Sequence, residues 1–422
     1  MRVFVVLLLS AFCLAPAAVL GQAPAPVPDA DVEAFIRRTL EQSPDLAALR
    51  EKGAALREMV LPAGALPDPM LEGVIQNVGW DRWTVGGEDM SMVSVGVRQT
   101  LPYPGKRDAS RDTARAEAAA VDAEIQRLQR QLTLRVRALC AALYAIDKES
   151  ESLGASRELL ELLSTTAASG YAAGRTEQEA VLKARLEILN LENRRDDLVG
   201  GRKKTAADLN RLMGAPPDGP VGAFKSLPEI PTPDASWTEL AETGSSDVAV
   251  KEAEALAARK RLDRAKMDLR PDFGAVGALG VRGGGKDPVV TLGVSLELPF
   301  WKKEKQEPAI RAARHDVERV QWEIQAAKAD ARVVAARLKA DFDRLDLQIA
   351  RLNDGIIPQT GDVMKAALSA YVSGRGDFST VLEDFKAWLD ARVDLARRAG
   401  ERFTVLAELN ALVAPPSAGA GR

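Results

Sequence analysis

Apolar residues recur every seven positions along two long stretches of the chain. Ile125, Leu132, Leu139 and Ile146 form one row; Val317, Ile324, Ala331, Leu338, Leu345 and Leu352 form the other. Val320, Ala327 and Val334 supply the other half of a heptad in the later row. Period seven predicts helices packed as coiled coils. No Gly or Pro interrupts Lys106 to Leu153 or Ala309 to Asp354. A helix running from Gly105 to Ser169 measures roughly 100 Å at about 1.5 Å per residue, which implies a rod or a tube. Shorter amphipathic helices precede these, over Asp31–Val60 and Asp247–Leu269, with Pro62 and Pro271 expected to stop them.

Between the short and long helices the period changes to two. Val290, Leu292, Val294, Leu296 and Leu298 alternate with Thr291, Gly293, Ser295 and Glu297. Phe273 to Val281 forms the partner strand, and the first half repeats the pattern with Met70–Val78 and the run around Val93, Val95 and Val97. Each segment is near the ~9–11 residues of a tilted transmembrane strand. A small soluble β-domain lying on the helices fits the alternation equally well.

Between the later strands lies Gly280–Pro288, "GVRGGGKDP", which nearly matches a nucleotide-binding loop. That loop needs a hydroxyl after its Gly-Lys and a helix beginning there. Here Asp287 stands at the hydroxyl position and Pro288 leads into a strand, so a hairpin tip is expected. In the first half the equivalent loop carries Trp80 and Trp83, which suit a membrane-interface belt or loop packing alike.

The chain states its plan twice. "SPDLA" at Ser43 returns at Ser245, "VGVRQTLPYPGKR" at Val95 as "LGVSLELPFWKKE" at Leu292, and "SGYAAGRTEQEAVL" at Ser169 as "SAYVSGRGDFSTVL" at Ser369. "LNRLMGAPP" at Leu209 returns as "LNALVAPP" at Leu409. The shifts are 202, 197, 200 and 200 residues, and Gly200 corresponds to Gly400. The expected organisation is a first repeat over 31–213, with a hairpin about 66–101 and a turn about 170–176. A Pro-rich linker over 214–234 and a second repeat over 235–413 follow, the latter with a hairpin about 272–299 and a turn about 371–377. Residues 414–422 read as a disordered tail.

Composition narrows the partners. Lys plus Arg number 57 and Asp plus Glu 60, for a formal charge of −3, which argues against nucleic acid. Arg2, the apolar run Val3–Leu14 and small residues to Gly21 read as a secretory signal over 1–21, followed by a Pro/Ala-rich stretch over 22–30. Cys13 lies behind the bulky Phe12, a poor lipidation site, so Cys140 is the single cysteine expected in the mature chain. No later segment has 18 uninterrupted apolar residues, so membrane insertion would have to use strands. Four strands are too few for a barrel, whose smallest examples have about eight, so several copies would be needed.

No catalytic set stands out, and no cofactor is expected. His315 sits among charges, where a solvated role is expected. Met90 and Met92 form an M-x-M that could meet a soft Cu(I) ion or simply fill a strand or loop.

"ALPDPML" from Ala65, "QTLPYPGKR" from Gln99, and the turns "YAAGRTEQEAVLKA" and "YVSGRGDFSTVLEDF" resemble the TolC-type outer-membrane efflux family over nearly the whole mature chain. The "PDPM … PGKR" pair is similar to members found with heavy-metal pumps. The resemblance implies a mainly α protein with membrane β, duplicated within the chain. Three copies would form a 12-stranded outer-membrane barrel continued by a periplasmic α-barrel of coiled-coil helices. The implied function is a passive exit duct for small molecules or metal ions, not an enzyme. Its implied partners are a periplasmic adaptor, an inner-membrane pump of the resistance-nodulation-division type, and outer-membrane lipid.

On the same resemblance Gly174, Arg175, Thr176, Gly374, Arg375 and Gly376 form the adaptor-docking tip, though a plain helix-hairpin turn also accounts for them. Glu383 and Asp384 lie near an aperture, with Tyr371, Arg375 and Glu179 as closing links. The family's D-V-L-D pattern reads Thr380-Val381-Leu382-Glu383 here. The other readings of the whole chain are a periplasmic adaptor, which usually carries one helical hairpin, and a coiled-coil scaffold.

Overall fold

The computed structural model describes residues 30–79, 85, 87–232 and 236–413. The expected signal over 1–21, most of the stretch over 22–30, Trp80, Trp83 and the tail over 414–422 lie outside the described residues.

Ten helices and four strands are described: α1 (Val32–Gln42), α2 (Pro44–Glu58), α3 (Val60–Ala63), β1 (Met70–Gln76), β2 (Met92–Leu101), α4 (Lys106–Ala172) and α5 (Gln178–Leu212) come first. Then follow α6 (Trp237–Gly244), α7 (Ser246–Met267), β3 (Asp272–Arg282), β4 (Val289–Glu297), α8 (Gln306–Arg351), α9 (Ile357–Val372) and α10 (Phe378–Val413). A π-helical turn, Leu352–Ile356, joins α8 to α9. The joined pass spans 67 residues, the length of α4.

The helices form a wall in which α4 lies between α5 and α10, with α8 and α9 beyond α10. Nearer the sheet the neighbours run α2, α4, α7, α8. The expected seam supplies much of the packing. Val320, Ala331, Leu345 and Leu352 are buried, and Leu338 is packed against Trp237 and Phe342. Val334 departs from it, at 42% exposed.

Two expectations change. The helix expected over Asp31–Val60 is broken at Ser43, whose backbone is extended with ψ of 121°, whereas α7 runs close to the expected Asp247–Leu269, preceded by α6 across an extended Ser245 with ψ of 125°. Pro44 then opens α2 at a position where its missing N–H is harmless. Pro62 does not stop the helix. It sits inside the short α3, which ends at Gly64. The heptad row ends at Leu352, where the helix geometry changes. Pro358 cannot donate a backbone hydrogen bond, and the π turn just before it widens the helix there.

The segment after α5 is fastened to the wall. Asp147 on α4 binds Arg202 at 2.6 Å and accepts from the Phe224 backbone N–H at 2.9 Å. Arg202 donates to the carbonyl of Gly222 at 2.9 Å, and Phe224 and Val221 are buried with Leu209 and Leu212.

Candidate functional site

The strands form one antiparallel sheet in the order β1-β2-β3-β4. Its register sets Leu71 against Val97, Val95 against Leu279, and Leu279 against Val290. One face therefore carries an apolar row from every strand. Among the described residues nothing covers it: Leu71 is 77% exposed, Leu292 82% and Val294 84%. The opposite face holds Ser94, several glycines and the Arg98–Glu72 ion pair, with Nη2 to Oε2 at 3.1 Å. The sheet does not lay its apolar face on the helices, which is where a small β-domain resting on them would have put it. Both outer strands, β1 and β4, have an open edge. Among the described residues no helix is long and apolar enough to cross a membrane.

"GVRGGGKDP" forms the β3–β4 hairpin tip. Gly284 and Gly285 have φ of 76° and 75°, and Arg282 Nε donates to the Asp287 carbonyl at 2.8 Å. Lys286 reaches Asp89 in the other hairpin loop at 2.6 Å. No helix begins at the Gly-Lys pair, so the phosphate-cradling geometry is missing.

At the far end of the wall the chain reverses twice in the same way. Gly174 and Gly374 adopt left-handed φ of 68° and 73°. Arg175 N donates to the Gly170 carbonyl at 2.8 Å and Gly174 N to Tyr171 at 2.9 Å; Arg375 N donates to Ala370 at 2.9 Å and Gly374 N to Tyr371 at 3.0 Å. These are paired Schellman closures, which satisfy the last carbonyls of α4 and α9. Thr176 Oγ1 donates to the Ala167 carbonyl at 3.1 Å, and Gly376 packs its backbone against Ala370 and Tyr371. Both arginine side chains are exposed.

The residues expected near an aperture divide. Glu383 is exposed and Asp384 half-buried, while Val381 and Leu382 between Thr380 and Glu383 belong to the core. Tyr371 is buried edge-on against Phe378, ring centroids 5.5 Å apart. Burial pushes its phenol above the ordinary value; Thr176 opposes this and the Asp377 carboxylate adds to it. Its hydroxyl lies beside Thr176 without a well-formed hydrogen bond. Arg375 Nε donates to Ser373 at 3.3 Å, and Glu179 pairs with Lys183 at 2.8 Å. Within one chain, then, Tyr371, Arg375 and Glu179 do not meet.

Lys183 is the residue the sequence reading missed. It also donates to Ser379 of the other repeat at 2.8 Å. Its ammonium is held above the ordinary lysine value chiefly by the hydrogen bond it donates to Glu179, with Asp377 and Glu383 contributing charge. No sequence spacing signals this contact, because it crosses from one repeat to the other.

Met92 is buried against Gly280, whereas Met90 is about half-exposed. His315 is exposed, its Nδ1 3.5 Å from Glu318. Among the described residues no group of three or more His, Cys, Asp or Glu is placed to hold a metal.

No family model and no curated protein matches the sequence. Solved structures do match. The outer membrane protein VceC of Vibrio cholerae shares 16% identity and a TM-score of 0.76, over 91% of this chain and 96% of that one. CusC shares 14% at a TM-score of 0.78, over 95% and 99%. The open-state MtrE outer membrane channel of Neisseria gonorrhoeae shares 16% at 0.68, over 91% and 89%. At these identities the likeness establishes architecture, and nearly end to end this chain has the fold of the TolC-type outer-membrane channels.

Proposed function

We propose that the chain is one of three identical subunits of a passive outer-membrane exit duct for small molecules or metal ions. The observation that carries this is the four-stranded sheet with one uncovered apolar face and two open edges. Lipid tolerates the face but not the edges, whose N–H and C=O groups would stay unpaired. Three copies supply twelve strands and close the edges. The strand directions alternate, so β4 of one copy meets β1 of the next antiparallel. The helical walls then continue the barrel as a tube, with the paired turns at its far end.

The duct hydrolyses nothing in this reading. Cargo and energy come from an inner-membrane pump of the resistance-nodulation-division type, through a periplasmic adaptor that meets the exposed Arg175 and Arg375 turns. The outer membrane and periplasm are its location.

The test is fractionation followed by mass measurement. A heat-sensitive trimer in the outer-membrane fraction, conducting ions in planar bilayers, is the expected result. A stable, non-conducting monomer in a membrane-like environment would overturn the reading.

A further inference from the structure

At the foot of the sheet the two repeats diverge. In the first, Tyr103 stacks on Phe273 with centroids 6.5 Å apart, Arg270 covers its ring at 5.6 Å, and Lys106 pairs with Asp272 at 2.8 Å. In the second, the equivalent corner "PFWKKEK" has no such partners. Phe300 is 78% exposed and Trp301 72% exposed, directly below the apolar row of β4. Lys302, Lys303 and Lys305 follow, all exposed, and none makes an ion pair among the described residues. Glu304 is the one carboxylate within that segment.

We infer that this corner is a docking site for an anionic glycerophospholipid of the periplasmic leaflet. The inference rests on the duct reading, which sets β4 in lipid. Aromatic rings at the end of an apolar strand face belong at the depth of the head groups. Lysines just below them meet the phosphate, and each such cation adds to the attraction for an anionic surface. A cleft of about 430 Å³ opens beside them, its inner wall carrying Asp268, Asp272 and Glu297 against Lys106 and Arg270. That wall has one more carboxylate than cations, so the positive charge is confined to the lip, where a head group would rest. A second copy is the weaker occupant. The opposite edge of the sheet, over 59–70, offers Asp68 as its one carboxylate for three lysines.

Native mass spectrometry reads the site on the full-length trimer released from vesicles of phosphatidylethanolamine and phosphatidylglycerol. The wild type should retain phosphatidylglycerol preferentially. The combined Lys302→Gln, Lys303→Gln, Lys305→Gln variant should retain about a hundredfold less. The combined Lys302→Arg, Lys303→Arg, Lys305→Arg variant should match the wild type, and Trp301→Ala should remain trimeric. Equal phosphatidylglycerol retention by the wild type and the Gln variant overturns the lipid site and leaves the duct standing. Loss of the trimer in the Gln variant or in Trp301→Ala assigns the corner to contact between copies, which also overturns it. A wild-type chain that never inserts overturns the duct and the site together.

Discussion

Arg397 in the second repeat donates to both carboxylate oxygens of Glu149 in the first, at 2.9 and 3.2 Å. Glu149 is 3% exposed and also accepts from Arg194 on α5 at 2.9 Å. One buried carboxylate thus joins α4, α5 and α10. Glu149→Leu removes the acceptor for two guanidinium groups. Both are partly exposed and regain water, so the cost is about 1–3 kcal/mol, less than for a fully buried pair. Arg397→Ala should cost less, because Arg194 remains. Thermal unfolding of the two variants in detergent checks the order, and a Glu149→Leu midpoint at or above wild type would show that the node does not hold the helices together.

Gly174→Val and Gly374→Val place a β-branched side chain at positive φ, with a strain of about 1–2 kcal/mol at each turn. The sheet is far from both, so insertion should persist while export falls. Preserved drug or metal tolerance in both variants, with unchanged cross-linking to an adaptor, would remove the turns from the docking role.

Threefold symmetry would gather three copies of Glu383 and of Asp384. Like charges held close make a ring that favours cations and binds multivalent ones. Glu383→Ala with Asp384→Ala should weaken cation selectivity and multivalent block in planar bilayers. Arg375→Ser should raise open-state conductance. Selectivity unaltered in the double variant would put the constriction elsewhere.

Cys140 is buried on α4, and burial pushes its thiol from 9.0 up to about 12. The folded state therefore holds the proton more tightly than the unfolded chain. This contribution to stability is complete below about pH 9 and is lost as pH rises through about 12. A maleimide at neutral pH should label Cys140 only after denaturation. Rapid labelling of the native trimer would contradict its burial.

Lys286 should confer no nucleotide affinity. Equilibrium dialysis with ATP is expected to show no binding to wild type or Lys286→Ala, and binding abolished by the substitution would reopen the phosphate-loop reading.

The parts legible in the sequence were those set by neighbours along the chain. Alternation from Val290 to Leu298 marked a strand, and the glycines at 280–285 marked a hairpin, because pleat and positive φ are local properties. Gly174 and Gly374 announced themselves in the same way. The i,i+4 pairing of Glu179 with Lys183 is local as well and could have been read from spacing, but the bond from Lys183 to Ser379 could not, since those residues meet only when the two repeats pack. The break at Ser43 was missed although Pro44 gave a cue, and the short α6 ahead of Ser245 was not assigned. Gly400 and Gly200 looked equivalent, yet only Gly400 lies where a Cβ would press on another helix, 3.0 Å from the Ala141 carbonyl oxygen.

The even strand count has a consequence for copy number. Since β1 and β4 run in opposite directions, a seam between copies would be antiparallel however many were joined. Hydrogen bonding alone would accept rings of two, three or four subunits. The choice must come from the rotation that each helical wall imposes on the next. Substitutions along α5 or α8 could then alter the bore of the duct without leaving a strand unpaired, whereas no substitution within the sheet could select the stoichiometry through pairing alone.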